Sequence, residues 1–201
     1  MTEKILGLGK IKMVQIQPSG LIVKSQSGDY FDPTRRLVVD RLIITPLGVE
    51  AFLEDGKQIL DIHHINHPGK AYGKKDLVSI GFTSHYDAMR ARFGEHMQDG
   101  IAGENIIIDY DQEVWTKDLG QKILFENQAT GKHVSLDLLK YAKPCHEFSQ
   151  FAANSFEKLP SEVLKSTLMF LNNGRRGFLL VLSEGQAGAV VQPGDRVFAI
   201  K

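Results

Sequence analysis

A second cysteine is the most informative thing this sequence lacks: Cys145 stands alone in 201 residues. No intramolecular disulfide can form, which excludes the cross-linked framework of a small secreted domain and makes a reducing compartment the default. Charge of one sign is missing too. The 24 Lys and Arg match 24 Asp and Glu, and the pI is near 7.1, so no global field gathers polyanions. A dedicated nucleic-acid or membrane-surface binder is therefore not expected, and affinity for duplex DNA at physiological salt should be negligible. Long apolar runs are also absent. No stretch approaches the roughly 20 apolar residues that cross a bilayer, and MTEKILGLGKIKMVQ carries no signal-peptide core. The expectation is a cytoplasmic protein. There is no Walker A run, and Gly7-Leu8-Gly9 lacks both the third glycine and the βαβ setting of a dinucleotide site, which disfavours nucleotides.

What is present is enough apolar material, 42% of residues, for a packed core, with too little charge, 24%, for a disordered chain. The length suits one domain spanning 1–201 that unfolds in one cooperative step. KIKMVQIQ alternates, LIVKSQ is β-branched, and RLVVDRLIITP, QILDIHHI and DLVSIGF continue the strand character between Gly, Pro and Asp signals. From Ser84 the period changes. SHYDAMRARFGEHM places Tyr86, Met89, Ala91 and Phe93 near one helical face, with Ser84 as N-cap. Ile106-Ile107-Ile108 and LGQKILFENQ read as strands, a helix starts around Cys145 with Phe148, Phe151 and Ala152 inward, and another is opened by Ser161 after Pro160. The tail returns to strands with GFLLVL, then the turn-rich EGQAGAVVQPGD, then RVFAI. Short strands from end to end with helices between them predict a mainly β fold with inserted helices, a closed or partly closed β-barrel, rather than a regular βα alternation.

The sharpest local feature is Lys143-Pro144-Cys145-His146-Glu147. A thiol becomes a nucleophile or metal ligand as the thiolate, and flanking Lys143 and His146 together with a helix N-terminus would lower its pKa. The bland alternative is a small buried hydrophobe. Ala102-Gly103-Glu104-Asn105 offers outward backbone N–H groups beside a carboxylate and an amide, or simply a turn into a strand. Gly174-Arg175-Arg176-Gly177 puts two planar guanidinium forks between glycines, suited to phosphate, or else a solvated turn. Lys70, Lys74 and Lys75 are a further anion-site candidate or an exposed basic loop. His63, His64 and His67 tempt a metal reading. On a strand, however, His63 and His64 point to opposite faces with no cysteine nearby, so no tightly bound zinc is expected.

Taken in order, AGENIII, DLGQKILFE, KPCHEF and RRGFLLVLSEGQAGAVVQPGD resemble the MOSC domain, the sulfurase C-terminal domain of molybdenum-cofactor biology. The match runs through 101–201, is partial over 61–82, and is one of pattern alone over 1–60. The sequence departs from the family at GVEAFLEDG, at Asn66-His67-Pro68-Gly69, and at Ala142-Lys143 before Pro-Cys. The resemblance implies a MOSC-like barrel, with the family's functional cysteine on Cys145 and its ligand-shaping turn on Gly103, Glu104 and Asn105. It implies one of two chemistries. In the first, Cys145 thiolate ligates the molybdenum of a pterin cofactor (molybdopterin) for redox work on a small substrate with a reductase partner, while Arg175, Arg176, Lys143 and Lys70 bind the cofactor. In the second, Cys145 carries persulfide sulfur received from a pyridoxal-phosphate cysteine desulfurase. A non-catalytic accessory barrel stays open as a third reading.

Overall fold

The computed structural model describes residues 4–69, 78–155 and 157–201. Among them the strands are β1 (Ile5–Ile16), β2 (Ile22–Val23), β3 (Tyr30–Phe31), β4 (Leu37–Val39), β5 (Leu42–Thr45), β6 (Gly48–Phe52), β7 (Gln58–Leu60), β8 (Val78–Phe82), β9 (Ile106–Asp109), β10 (Lys122–Glu126), β11 (His133–Tyr141), β12 (Phe178–Leu182), β13 (Ala189–Val191) and β14 (Arg196–Ile200). The helices are α1 (Thr83–Phe93), α2 (Thr116–Leu119), α3 (His146–Ala152) and α4 (Ser161–Leu171).

Seven strands close the expected barrel in the order β1, β14, β10, β11, β12, β8, β9 and back to β1, with β4 added along β1. Neighbours in the ring are antiparallel except β8 and β9. A parallel pair needs a crossover, and α1 provides it. A smaller sheet, β13-β5-β6-β7, and the β2–β3 hairpin stand beside the ring.

β1 joins both sides of the closure because it pairs first with β14 and then with β9, shifting register on the way. Gly9 permits the switch. Its φ is +95°, and a Cβ there would stand 2.1 Å from the Asp109 carbonyl oxygen, so the Gly7-Leu8-Gly9 stretch serves strand curvature.

Alternation explains the isoleucine run. Ile106 and Ile108 enter the barrel core with Leu8, Val14, Ile80, Phe82 and Phe178, while Ile107 points outward beneath the helices. There it packs in a second cluster with Tyr86, Met89, Phe148 and Leu171. Each such buried side chain contributes about 1.5 to 3 kcal/mol. The second cluster fastens α1, α3 and α4 to one side of the barrel.

Several expectations need correction. α1 starts at Thr83 after Phe82, so Ser84 is not its N-cap; instead the Ser84 hydroxyl lies in the first turn and donates to the Gln112 carbonyl at 2.8 Å. Ala91 is exposed, because it follows buried Met89 by two residues and so faces the other way. The strand in QILDIHHI stops at Leu60, so His63 and His64 sit on a turn. β11 and β13 add strands that local pattern does not announce, β13 within the turn-rich EGQAGAVVQPGD. In β11, Val134 and Leu136 are buried between charged and polar neighbours. Among the described residues no helix is long and apolar enough to cross a membrane.

His85 on α1 gives the fold a pH dependence. It is buried among Phe82, Trp115 and Phe178, and Nε2 accepts the Val114 N–H at 3.1 Å. Burial, reinforced by the Arg175 charge, lowers its pKa from 6.5 to about 4. The unfolded chain therefore binds this proton first as pH falls. The stability linked to His85 is full above pH 6.5 and is lost towards pH 4, a change of about 3 kcal/mol. Chemical denaturation at pH 7.5 and pH 4.5 should show a clearly smaller acid loss in His85→Phe than in the parent. Equal losses would remove His85 from the acid response.

Candidate functional site

The Gly103-Glu104-Asn105 turn feeds β9, and its polar groups are buried because distant strands supply their partners. Asn105 is the hub. Its Oδ1 accepts from the Ser79 N–H and hydroxyl, both at 3.0 Å, and its Nδ2 donates to the Gln15 carbonyl at 3.3 Å and to Asp61 at 2.8 Å. Gln17 donates to the Gly103 carbonyl at 2.5 Å, and Gln15 donates to the Gly100 and Glu104 carbonyls, both at 2.7 Å. Arg36 braces Gln15 at 3.0 Å. Asn105→Ala strands several buried groups at once and should cost about 3 kcal/mol in chemical denaturation. A loss below about 1 kcal/mol would mean the network is slack.

Glu104 lies inside this frame. Its Oε2 accepts from the Tyr86 hydroxyl at 2.5 Å, while Oε1 is buried with no hydrogen-bond partner among the described residues. Burial raises the Glu104 pKa against the opposing pull of Tyr86, Arg176 and Arg36. The same burial, with the Glu104 charge, raises the Tyr86 pKa well above its ordinary value.

A cleft of about 370 Å³ opens over this floor. Leu21, Phe31, Val78 and Leu179 form apolar walls, and His63, Glu104, Asn105, Lys143 and Arg176 bring the polar groups.

Cys145 does not itself line the cleft; it lies behind the wall residue Arg176. It is the N-cap of α3 rather than a first-turn residue, and its Sγ accepts the Phe148 N–H at 3.4 Å. The expected neighbours are not its activators. Lys143 is exposed at the cleft rim, and His146 lines a separate cavity of about 870 Å³ with Glu147. The cation beside the thiol is Arg176, whose Nη1 is 3.9 Å from Sγ and 3.2 Å from the Lys143 carbonyl. Its guanidinium also covers the Phe148 ring at 4.5 Å, and its Nε is buried without a partner among the described residues.

Burial raises the Cys145 pKa, with Glu147 adding to the rise and Arg176 and the Phe148 N–H opposing it. This reverses the activation expected from the flanking sequence, because desolvation outweighs the nearby positive charge. Alkylation by iodoacetamide at pH 7 should be slower at Cys145 than for glutathione in solution. A faster reaction would restore an activated thiol.

Arg175 and Arg176 part company. Arg175 lies against Trp115 and Phe170, donates to the Phe170 carbonyl at 2.6 Å, and pairs with Glu113 at 2.6 Å, away from the cleft. Lys70, Lys74 and Lys75 lie outside the described residues. The three histidines do not converge: His63 bonds to Asp61, His64 to Glu50, and His67 to the Pro18 carbonyl. Sequence reasoning did not find Gln15, Gln17, Arg36, Asp61, Ser79 or Tyr86. Their signals lie in pairings remote along the chain.

No family model matches the chain, and no curated protein matches it by sequence. Solved structures do resemble it. The YuaD protein of Bacillus subtilis superposes with a TM-score of 0.61 at 11% identity, covering 100% of this chain and 99% of that one. A protein described only as hypothetical gives a TM-score of 0.53 at 14% identity over 94% of this chain and 66% of its own. YiiM of Geobacillus stearothermophilus, a MOSC-domain protein, gives 0.52 at 11% identity over 95% of this chain and 75% of its own. At these identities the likeness is one of fold, a MOSC-like barrel.

Proposed function

We propose that the cleft binds the pterin molybdenum cofactor, with Cys145 as the protein's ligand to the metal, for redox chemistry on a small substrate served by a reductase partner. One observation carries this reading: Glu104 and Arg176, of opposite charge, both line the cleft, each keeps a buried polar atom (Oε1 and Nε) without a protein partner among the described residues, and Arg176 also approaches the Cys145 thiol. Such orphans are costly unless a ligand satisfies them. The donor set fits the group. A thiolate is a soft ligand, Arg176 and rim Lys143 suit its anionic end, and the Glu104 carboxylate suits the N–H groups of a flat heterocycle held between apolar walls.

When bound, the cofactor supplies the redox-active metal. Cys145 must give up its proton to ligate, and Arg176 favours the thiolate that results. Tyr86 keeps Glu104 aimed, while Phe31, Leu21 and Leu179 would pack against the bound group and shield it from water. The half-buried thiol suits a retained ligand better than a persulfide carrier, which has to present an exposed sulfur to its donor. Purification from a host that makes the cofactor, followed by molybdenum and pterin analysis, tests this. Near-stoichiometric amounts of both support it. Cyanide-releasable sulfur on Cys145 with neither of them would instead favour sulfur transfer.

A further inference from the structure

We propose that His63 is the proton acceptor of the cleft, held ready by Asp61; this rests on reading the cleft as a binding site but not on which ligand fills it. Asp61 is fully buried, and hydrogen bonds surround its carboxylate. Oδ1 accepts the His63 backbone N–H at 2.9 Å and contacts His63 Nδ1 at 2.8 Å. Oδ2 accepts the Gln17 N–H at 2.9 Å and Asn105 Nδ2 at 2.8 Å. An acceptor so occupied leaves the hydrogen between the two side chains on Nδ1. The tautomer is thereby set, and the lone pair falls on Nε2.

Nε2 has no protein partner among the described residues, whereas His64 and His67 commit theirs to Glu50 and the Pro18 carbonyl. The His63 side chain is 32% exposed and lines the cleft, where the other charged groups are Glu104, Lys143 and Arg176. A proton leaving a bound N–H, O–H or acidic C–H can pass to Nε2 while its bonding electrons stay with the ligand. The imidazolium formed then lies against the Asp61 carboxylate, which steadies its charge. Asp61 is the positioning residue, and three further hydrogen bonds hold its carboxylate in turn.

The molybdenum-free protein tests this with 5-nitro-1,2-benzisoxazole, a small flat probe that reports base strength alone. The base removes the C3 proton, those electrons form the nitrile as the N–O bond breaks, and the nitrophenolate appears in the visible spectrum. Saturable turnover at least about tenfold above that of His63→Gln is expected, within the usual range for a positioned base. Equal turnover in His63→Gln, or none above imidazole in solution, overturns the proposal. Nitrogen-15 NMR of labelled histidine adds a second reading: an Nδ1–H tautomer at His63 is expected, and an Nε2–H tautomer overturns it. No metal enters either measurement, so their failure is separable from failure of the cofactor reading.

Discussion

Replacing Gly177 by alanine is expected to destabilise the protein by about 2 to 5 kcal/mol and to spoil the cleft together with the fold. Two costs add at this position. Its φ of +93° disfavours any residue with a Cβ, at about 1 to 2 kcal/mol. The added Cβ would also stand 2.5 Å from the Ile80 carbonyl oxygen and 2.8 Å from Glu104 Cγ. Overpacking of this kind costs about 1 to 3 kcal/mol, because Ile80 belongs to β8, which pairs with β12 just beyond Gly177. Either the barrel opens locally or Glu104 leaves its seat. Gly131→Ala is the control, since Gly131 has a φ of +65° but no atom within 4 Å of its missing Cβ. Only the conformational cost of about 1 to 2 kcal/mol should remain there. Denaturation curves that give the two variants the same loss would show that no close approach exists at Gly177.

The barrel's class was legible because strand alternation and turn residues are local signals, and AGENIII shows how far they reach. The turn and the strand could both be read, and so could the burial of all three isoleucines. Which of them enters the barrel could not, since that depends on the register of β9 with β1 and β8. Arg175 and Arg176 show the same limit at the site. They are chemically identical and adjacent, yet the turn sends one to Trp115 and Phe170 and the other to Cys145. Nothing in Gly-Arg-Arg-Gly distinguishes them. Asp61 escaped notice for a related reason: its partners Gln17 and Asn105 each lie 44 residues away. The state of the thiol is not legible locally, because Lys143 and His146 are neighbours in sequence but turn elsewhere, while burial, which no local motif reports, decides the direction of its pKa.

Cys145→Ser should leave the fold intact, because the thiol is half-buried and a serine hydroxyl can take over its role as N-cap towards the Phe148 N–H. On the cofactor reading, what it removes is the soft ligand. Serine is a poor match for molybdenum beside a pterin, so retention of the metal should fall by at least about tenfold while thermal stability barely moves. The measurement that bears most directly on the cofactor reading is therefore the molybdenum-to-protein ratio of the parent and of Cys145→Ser, purified side by side from a cofactor-making host. The cofactor reading predicts a ratio near one for the parent and a small fraction of that for the variant. A variant that keeps as much molybdenum as the parent would contradict the assignment of Cys145 as the ligand.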